Sequence, residues 1–600
     1  MKKIINYILV FVFASIILYS QGVNEQKFRL GFSYEERGEV QNAERIYEEL
    51  IKSEPNNPQF FTAYTRIMKA QNKFSELLPL VSERAKKFET LENLDLFAEI
   101  SWRVGNTEDA NKSWEKALNK FENNFDTYSK IAQTQISLRL FEKAIATFLK
   151  GRKDIGSNGL FADELSKVYI ATGNYKDGIE EIFNLLYANM NIATAQGRVY
   201  ALIVNEEASK YLEGRIRKES EVQFKNMLTQ ELYAWLLRTI NKLENALDVY
   251  IRIDELKKTN GMELLNFANI SVQDGQYDIA IKAYKIIIEK GKSNPYNASA
   301  VYGVTRALEL KLLSKKNFTK VEIDEILNYY ENIIMDYPNS KYSADARYRY
   351  ATIQYRMLNN PKLAKIHLDL IMKESPRLDV SGTAANFLAE IYISEENLVG
   401  ARDLYKFVAE KNQSALPPDK EIARFMLAEL EFFQGNIDTA RALYVKIVQN
   451  SKSDAANDAF KRISIIDASI EFVKGLKAYS TAELLLFQNK KNEAIKYYQE
   501  ASESSKNSKL SETSLMKLSE IYFELKMYDN AISSINALIA ENAESIFADD
   551  AYMMLGDCYT AQNKTAEAIK AYSDLLVKFP DSVMLQQARK KIRLLRNEKN

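Results

Sequence analysis

Alanine returns along this chain of 600 residues on a ladder of about 34, and that beat constrains what the chain can fold into. Ala110 and Ala144 stand 34 residues apart, as do Ala246 and Ala280; Ala43 precedes Ala110 by 67 residues and Ala246 follows Ala144 by 102. Each of these alanines has an aromatic four residues on: Tyr47, Trp114, Phe148, Tyr250 and Tyr284. On a helix, positions i and i+4 share a face, so a small residue and a ring recur together once per unit. A period of this length with that pair predicts an all-α solenoid of stacked helix–turn–helix repeats. One such hairpin buries too little surface to offset its chain entropy, so neighbours must share a core. Ten prolines and twenty glycines in the whole chain leave helices largely uninterrupted.

The residues at the two ends carry a family resemblance. Leu30-Gly31, Tyr34, Ala43, Tyr47 and Pro55 near the start, and Tyr552, Leu555-Gly556, Tyr559, Ala568, Tyr572 and Pro580 near the end, follow the tetratricopeptide repeat (TPR) pattern. The chain resembles that family, which implies a right-handed superhelix with a concave and a convex face. The middle is more degenerate but keeps phase: Ala110 with Trp114, Ala144 with Phe148, Gly178 with Ile182. Leu77 and Leu212 stand where alanine belongs, and Pro79 is expected to kink its helix. Past residue 295 the rungs run Ala364, Ala401, Ala440, Ala494, Ala531 and Ala568, with longer gaps. The phrase Ser340-Lys341-Tyr342-Ser343-Ala344-Asp345-Ala346 is similar to the longer repeats of envelope-assembly and Tol-Pal-associated TPR proteins of bacteria.

This divides the chain into residues 1–22, 23–294, 295–340, 341–582 and 583–600. The first segment reads as a signal peptide: Lys2 and Lys3 precede the apolar stretch Ile4 to Tyr19, and polar sequence follows. Cleavage is expected after Ser20 or close by, although Leu18 is large for the −3 position. As a helix, residues 4–19 span about 24 Å, short of a bilayer core of roughly 30 Å. An uncleaved inner-membrane anchor is the alternative. Residues 23–294 and 341–582 form two arrays, 295–340 an irregular helical joint, and 583–600 a capping helix with a basic tail. The cap is expected to seal the array through Val583, Leu585, Ala588, Ile592 and Leu595. Asp454 to Gln488 reads as one long helix or a tight pair, and Pro417-Pro418 as a loop.

Composition excludes several chemistries. Lys+Arg and Asp+Glu both number 81, so there is no basic excess for nucleic acid. Cys558 and His367 are single residues of their type, which removes disulfides and Cys/His zinc sites and leaves His367 as the lone histidine for a catalytic pair. His367 lies inside a helical pattern and reads as structural. No catalytic residue, cofactor or metal ligand is expected, and no phosphate-cradling glycine loop occurs.

In a TPR array the first helix of each hairpin lines the concave groove. Two positions on it, two residues before the Leu and one after the Gly/Ala, should face a partner. In the C-terminal half the second position is acidic throughout: Glu390, Glu429, Glu483, Glu520 and Asp557; the first is Asn386, Phe425, Tyr479, Met516 and Met553. A carboxylate line beside aromatics and Met suits an extended or helical partner segment with basic and apolar side chains. A solvated stripe of helix-favouring Glu is the alternative. Charge reversal at Glu429, Glu483 and Glu520 is expected to weaken binding and leave thermal stability nearly intact. In the N-terminal half the acidic position is irregular (Phe32, Glu99, Gln133, Lys167, Trp235, Asn269), and Trp235 is expected as an exposed anchor. The functional expectation is a non-enzymatic scaffold of the bacterial cell envelope or periplasm. It binds other proteins, not nucleic acid, and meets a membrane only through an uncleaved leader or its partners. A periplasmic TPR component of polysaccharide or protein export machinery is the alternative, and a solenoid-borne cell-wall enzyme lacks room for a catalytic domain.

Overall fold

A computed structural model describes residues 23–189, 191–450 and 453–596. The leader and its cleavage site, like the tail beyond 596, lie outside the described residues. Among the described residues every regular element is helical, and successive helices pair as antiparallel hairpins. The chain divides into two compact units, residues 1–259 and 260–600.

In the first unit the hairpins begin with residues 23–36 against Val40–Ser53 and continue through Pro58–Ala70 with Phe74–Lys87 and Leu91–Arg103 with Thr107–Lys120. The ladder residues explain the pairing. Ala43, Ala110, Ala144 and Ala246 are fully buried, and Tyr47, Trp114 and Phe148 fill the space beside them. The family glycine has a steric reason: a Cβ on Gly31 would stand 2.7 Å from Tyr47 Cε1, so only glycine lets the first helix ride over that ring. The hairpin turns need a left-handed residue, supplied by Asn72, Arg139 and Asn241 or by glycine. The degenerate stretches fold like the rest. Leu77 and Leu212 are buried in the rung position, and Phe74–Lys87 runs as one helix through Pro79.

The second unit keeps the same construction with longer helices. Residues 295–340 are not an irregular joint: Asn297–Leu313 and Lys320–Asp336 form a regular pair, the latter opened by a Thr319/Glu322 capping box. The pair is tied to the following hairpin, because Glu309 accepts from Tyr330 and pairs with Arg306 and Arg349. The boundary between units falls at Thr259/Asn260 instead. Pro417 and Pro418 are not a loop but open the helix Pro417–Phe433, where a missing N–H costs nothing. Asp454 to Gln488 breaks into two helices: Asp454–Asp467 packs on Ile437–Asn450, while Val473–Phe487 pairs with Lys491–Ser504. The cap Leu585–Leu595 buries Ala588 and Ile592 and half-buries Met584, Leu585 and Leu595. Val583 is exposed instead, because it precedes the helix and points away from that face. Cys558 is buried, and burial pushes its thiol up to about 12, which makes it inert. His367 stacks on Tyr350 at 4.2 Å, a packing role.

Candidate functional site

The small residue of the first helix (Ala268, Ala428, Ala482 or Gly556) does more than admit the ring. Helical geometry sends the following side chain toward the second helix, where the hydroxyl of the paired tyrosine lies. Tyr284 Oη thus donates to Asn269 Oδ1 at 2.7 Å, and Tyr498 Oη to Glu483 Oε1 at 2.5 Å. Tyr444 donates to Glu429 and Tyr572 to Asp557 in the same way. In each case tyrosine follows the acceptor by 15 residues. Each carboxylate also takes a cation. Lys591 of the cap pairs with Asp557, and Arg356 Nη2 donates to Glu390 Oε2 at 2.6 Å.

The strongest of these networks centres on Arg462, from the helix Asp454–Asp467. Its Nε and Nη2 donate to Glu429 at 2.9 and 2.8 Å, and Nη2 also reaches Glu483 Oε2 at 2.6 Å. The guanidinium stands 5.0 Å over the Phe432 ring. Burial alone would raise the Glu483 carboxyl; Arg462 and the Tyr498 hydroxyl hold it below its ordinary value.

This overturns the expectation that the stripe is free and can be charge-reversed without cost. Glu429 is only 4 % exposed, and Tyr479, Met516 and Met553 are buried as well, so none of these four presents an open surface. Glu390, Glu483 and Asp557 are half-buried and paired; Glu520, which lacks a tyrosine 15 residues on, pairs with Lys517 on its own helix. In the first unit Trp235 is half-buried rather than an exposed anchor, because Leu236 and Leu237 beside it pack into the core. Glu99 there is buried against Lys69 and Arg103.

Four of the expected groove residues nevertheless meet in one place. Phe425, Glu429, Tyr479 and Glu483 line a cleft of about 680 Å³ in the second unit, together with Phe460, Lys461, Arg462, Ile465, Lys509, Lys517, Ile546 and Phe547. Its floor is the Arg462 network, one guanidinium shared by two carboxylates. Its rim is apolar and open: Phe460 is 62 % and Ile546 69 % exposed. A smaller cleft of about 270 Å³ holds Asn386 and Glu390, with Tyr348, Phe387, Tyr405, Asp419, Ile422 and Phe487. Sequence reading missed Phe460, Ile546 and Asp419, which lie outside the two counted positions. Among the described residues no group of three His, Cys, Asp or Glu side chains could hold a metal, and no helix is long and apolar enough to cross a membrane.

A third cleft, in the first unit, contains a buried acid that forms no ion pair among the described residues. Asp95 accepts from Trp114 Nε1 at 3.0 Å and Thr134 Oγ1 at 2.7 Å, and burial pushes its carboxyl up to about 6 from 3.8. The folded state therefore binds the proton more tightly than the unfolded chain. Its stabilising contribution is complete below about pH 3.8 and is lost as the pH rises through 6. Asp95→Asn copies the protonated form, with its amide oxygen accepting from Trp114 and its NH₂ donating to Thr134. At pH 7.5 it is expected to stabilise the first unit by up to roughly 3 kcal/mol, with the gain shrinking toward zero as the pH falls to 4. Melting curves of both proteins across that range check this.

Comparison with known families fits the geometry. Residues 27–57 match a tetratricopeptide repeat profile, and residues 474–593 match a tetratricopeptide repeat-like domain. No curated protein matches the chain in sequence. Among solved structures, Naa15/Naa10 bound to HypK-THB is 12 % identical, covering 95 % of this chain and 96 % of that one, at a TM-score of 0.31. A tetratricopeptide repeat protein from Parabacteroides merdae is 13 % identical over 56 % of this chain and 99 % of its own, at 0.26. The APC/C hetero-tetramer Cut9-Hcn1 is 13 % identical over 95 % and 96 %, at 0.21. At these values the superpositions say nothing further about this chain. Two segments of the chain, one near each end, thus match tetratricopeptide repeat models, and the hairpins between them carry the same small-residue-under-aromatic packing.

Proposed function

We propose that the protein is a non-enzymatic interaction scaffold of the bacterial cell envelope, which seats a partner segment in the clefts of its second unit. The observation that carries this is the 680 Å³ cleft with Phe460 and Ile546 exposed at its rim. Large side chains left in water beside a concave, mostly apolar surface are what a partner's apolar anchors would cover. The floor offers no reactive group: its carboxylates and its guanidinium are consumed by one another. The leader-like residues 2–19 support export, to the periplasm or the envelope.

The test is crosslinking and affinity capture from cells with the full chain as bait. Phe460→Glu combined with Ile546→Glu is expected to lower partner recovery at least about tenfold, the order of one lost interface hot spot. The melting temperature should stay within about 2 °C, because both side chains are already in water. Undiminished recovery by the double variant would remove the cleft from the function. N-terminal sequencing of protein from the envelope fraction tests export, with the chain expected to begin close after Ser20.

A further inference from the structure

The smaller cleft contains an acid treated differently from the others nearby. Glu309, Glu429 and Glu483 are all withdrawn from water, and each has an arginine. Asp419 is 7 % exposed and, among the described residues, has no ion-pair partner; its carboxylate accepts from Thr383 Oγ1 at 3.1 Å. Arg356 lines the same cleft but is engaged by Glu390. Burial, and less strongly the neighbouring Asp379, push the Asp419 carboxyl up against the hydrogen bonds from Thr383 and the Leu416 backbone, neither of which carries a charge.

A second group in that cleft also lacks a partner. Asn386 is 8 % exposed, and its Nδ2 donates to the backbone carbonyl of Asp419 at 2.9 Å. A carbonyl can only accept, so the amide cannot be turned around. Its Oδ1 is therefore left as a buried acceptor, and no hydrogen bond reaches it. An unneutralised carboxylate and a spare amide oxygen both call for a donor with positive charge. Phe387, Ile422, Met426 and Phe487 surround them with apolar surface. The volume, about 270 Å³, falls below the roughly 300–1,000 Å³ of small-molecule sites and suits one long side chain.

We propose that this cleft receives a lysine or arginine side chain of the partner segment, its cation on Asp419 and Asn386 Oδ1 and its stem along Phe387 and Ile422. Such a stem buries methylene groups while the head makes charge-assisted hydrogen bonds. The inference rests on the scaffold reading and adds the chemistry of one anchor to it.

Selection of short random peptides displayed on phage, with the immobilised full chain as target, separates the two. Wild type is expected to enrich Lys or Arg about tenfold at one position beside apolar residues, the low end for a charge-assisted hydrogen bond. Asp419→Asn, which is isosteric, should abolish that cationic preference and keep the apolar one. Ile422→Lys, at an exposed rim position, should do the same by placing an ammonium in the cleft from within the chain. Unchanged melting curves of both variants show that the fold is retained. Enriched peptides with no cation, or a cation preserved against Asp419→Asn, overturn the inference while leaving the scaffold reading in place. Enrichment of no peptide at all overturns both.

Discussion

Arg462→Leu should destabilise the middle of the second unit by about 3–5 kcal/mol, the scale for removing one partner of a buried ion pair. The loss of attraction is the smaller part. Glu429 and Glu483 stay where the packing puts them, and two largely withdrawn carboxylates would then face one another with Tyr444 and Tyr498 as their hydroxyl donors. Hydrogen exchange is the appropriate readout, because a repeat array opens locally and a single unfolding free energy is poorly defined for it. Protection should fall in Pro417–Phe433, Asp454–Asp467 and Val473–Phe487, and hold in the first unit. Adding Glu429→Gln and Glu483→Gln to Arg462→Leu should recover most of the loss, since the amides still accept from the tyrosines and no charge remains. Glu429→Lys, in contrast, would place an ammonium against Arg462. It is expected to melt the region rather than act as a silent surface change.

Tyr572→Ala should cost about 3–5 kcal/mol through the cavity it leaves. Tyr572 lies buried beneath Gly556, and Ala568 and Leu575 are buried on the same helix. Tyr572→Phe keeps the ring and loses the hydroxyl's hydrogen bonds to Asp557 and Thr560, so about 1.5–3 kcal/mol is expected. Gly556→Ala should also destabilise, by about 1–3 kcal/mol, because its Cβ would stand 2.3 Å from Tyr572 Cε1. The two sites are coupled: with Tyr572→Ala in place the new methyl enters space the ring has vacated. The double variant should therefore be more stable than the sum of the single losses implies. Hydrogen exchange in the last hairpin of the four variants, measured beside wild type, checks all three magnitudes and the coupling.

The repeat fold was legible because its signal is local. A small residue and a ring four positions apart occupy one helical face, and Ala43 with Tyr47, like Ala568 with Tyr572, is buried within its own hairpin as that spacing requires. Boundaries that depend on a single residue were less legible. Pro79 is absorbed inside a helix, and Pro417 begins one, because the cost of proline depends on which backbone donor is lost. The groove positions were legible as places and not as environments. Counting from the Leu and Gly/Ala of the first helix selects Phe425, Glu429, Tyr479 and Glu483, which do share a cleft. It misses the tyrosine 15 residues after an acid that takes the carboxylate at 429/444, 483/498 and 557/572; the spacing recurs at 390/405, where Arg356 holds the acid instead, and is absent at Glu520, which Ile535 follows. Arg462 was out of reach of any such count. It sits on the helix Asp454–Asp467, inserted where the 54-residue gap between Ala440 and Ala494 breaks the beat. Asp419 stands in the first turn of its helix, ahead of both counted positions, and its isolation shows only once the neighbours are in place.

The most direct test of a partner seated in the second unit is photo-crosslinking in cells from single sites of the full chain. A benzophenone side chain replaces either Phe460, at the rim of the large cleft, or Val577, which is still more exposed, on the second helix of the last hairpin. A discrete covalent adduct from position 460 and none from 577 is the result expected here. Adducts of equal yield from both positions, or from 577 alone, would contradict it.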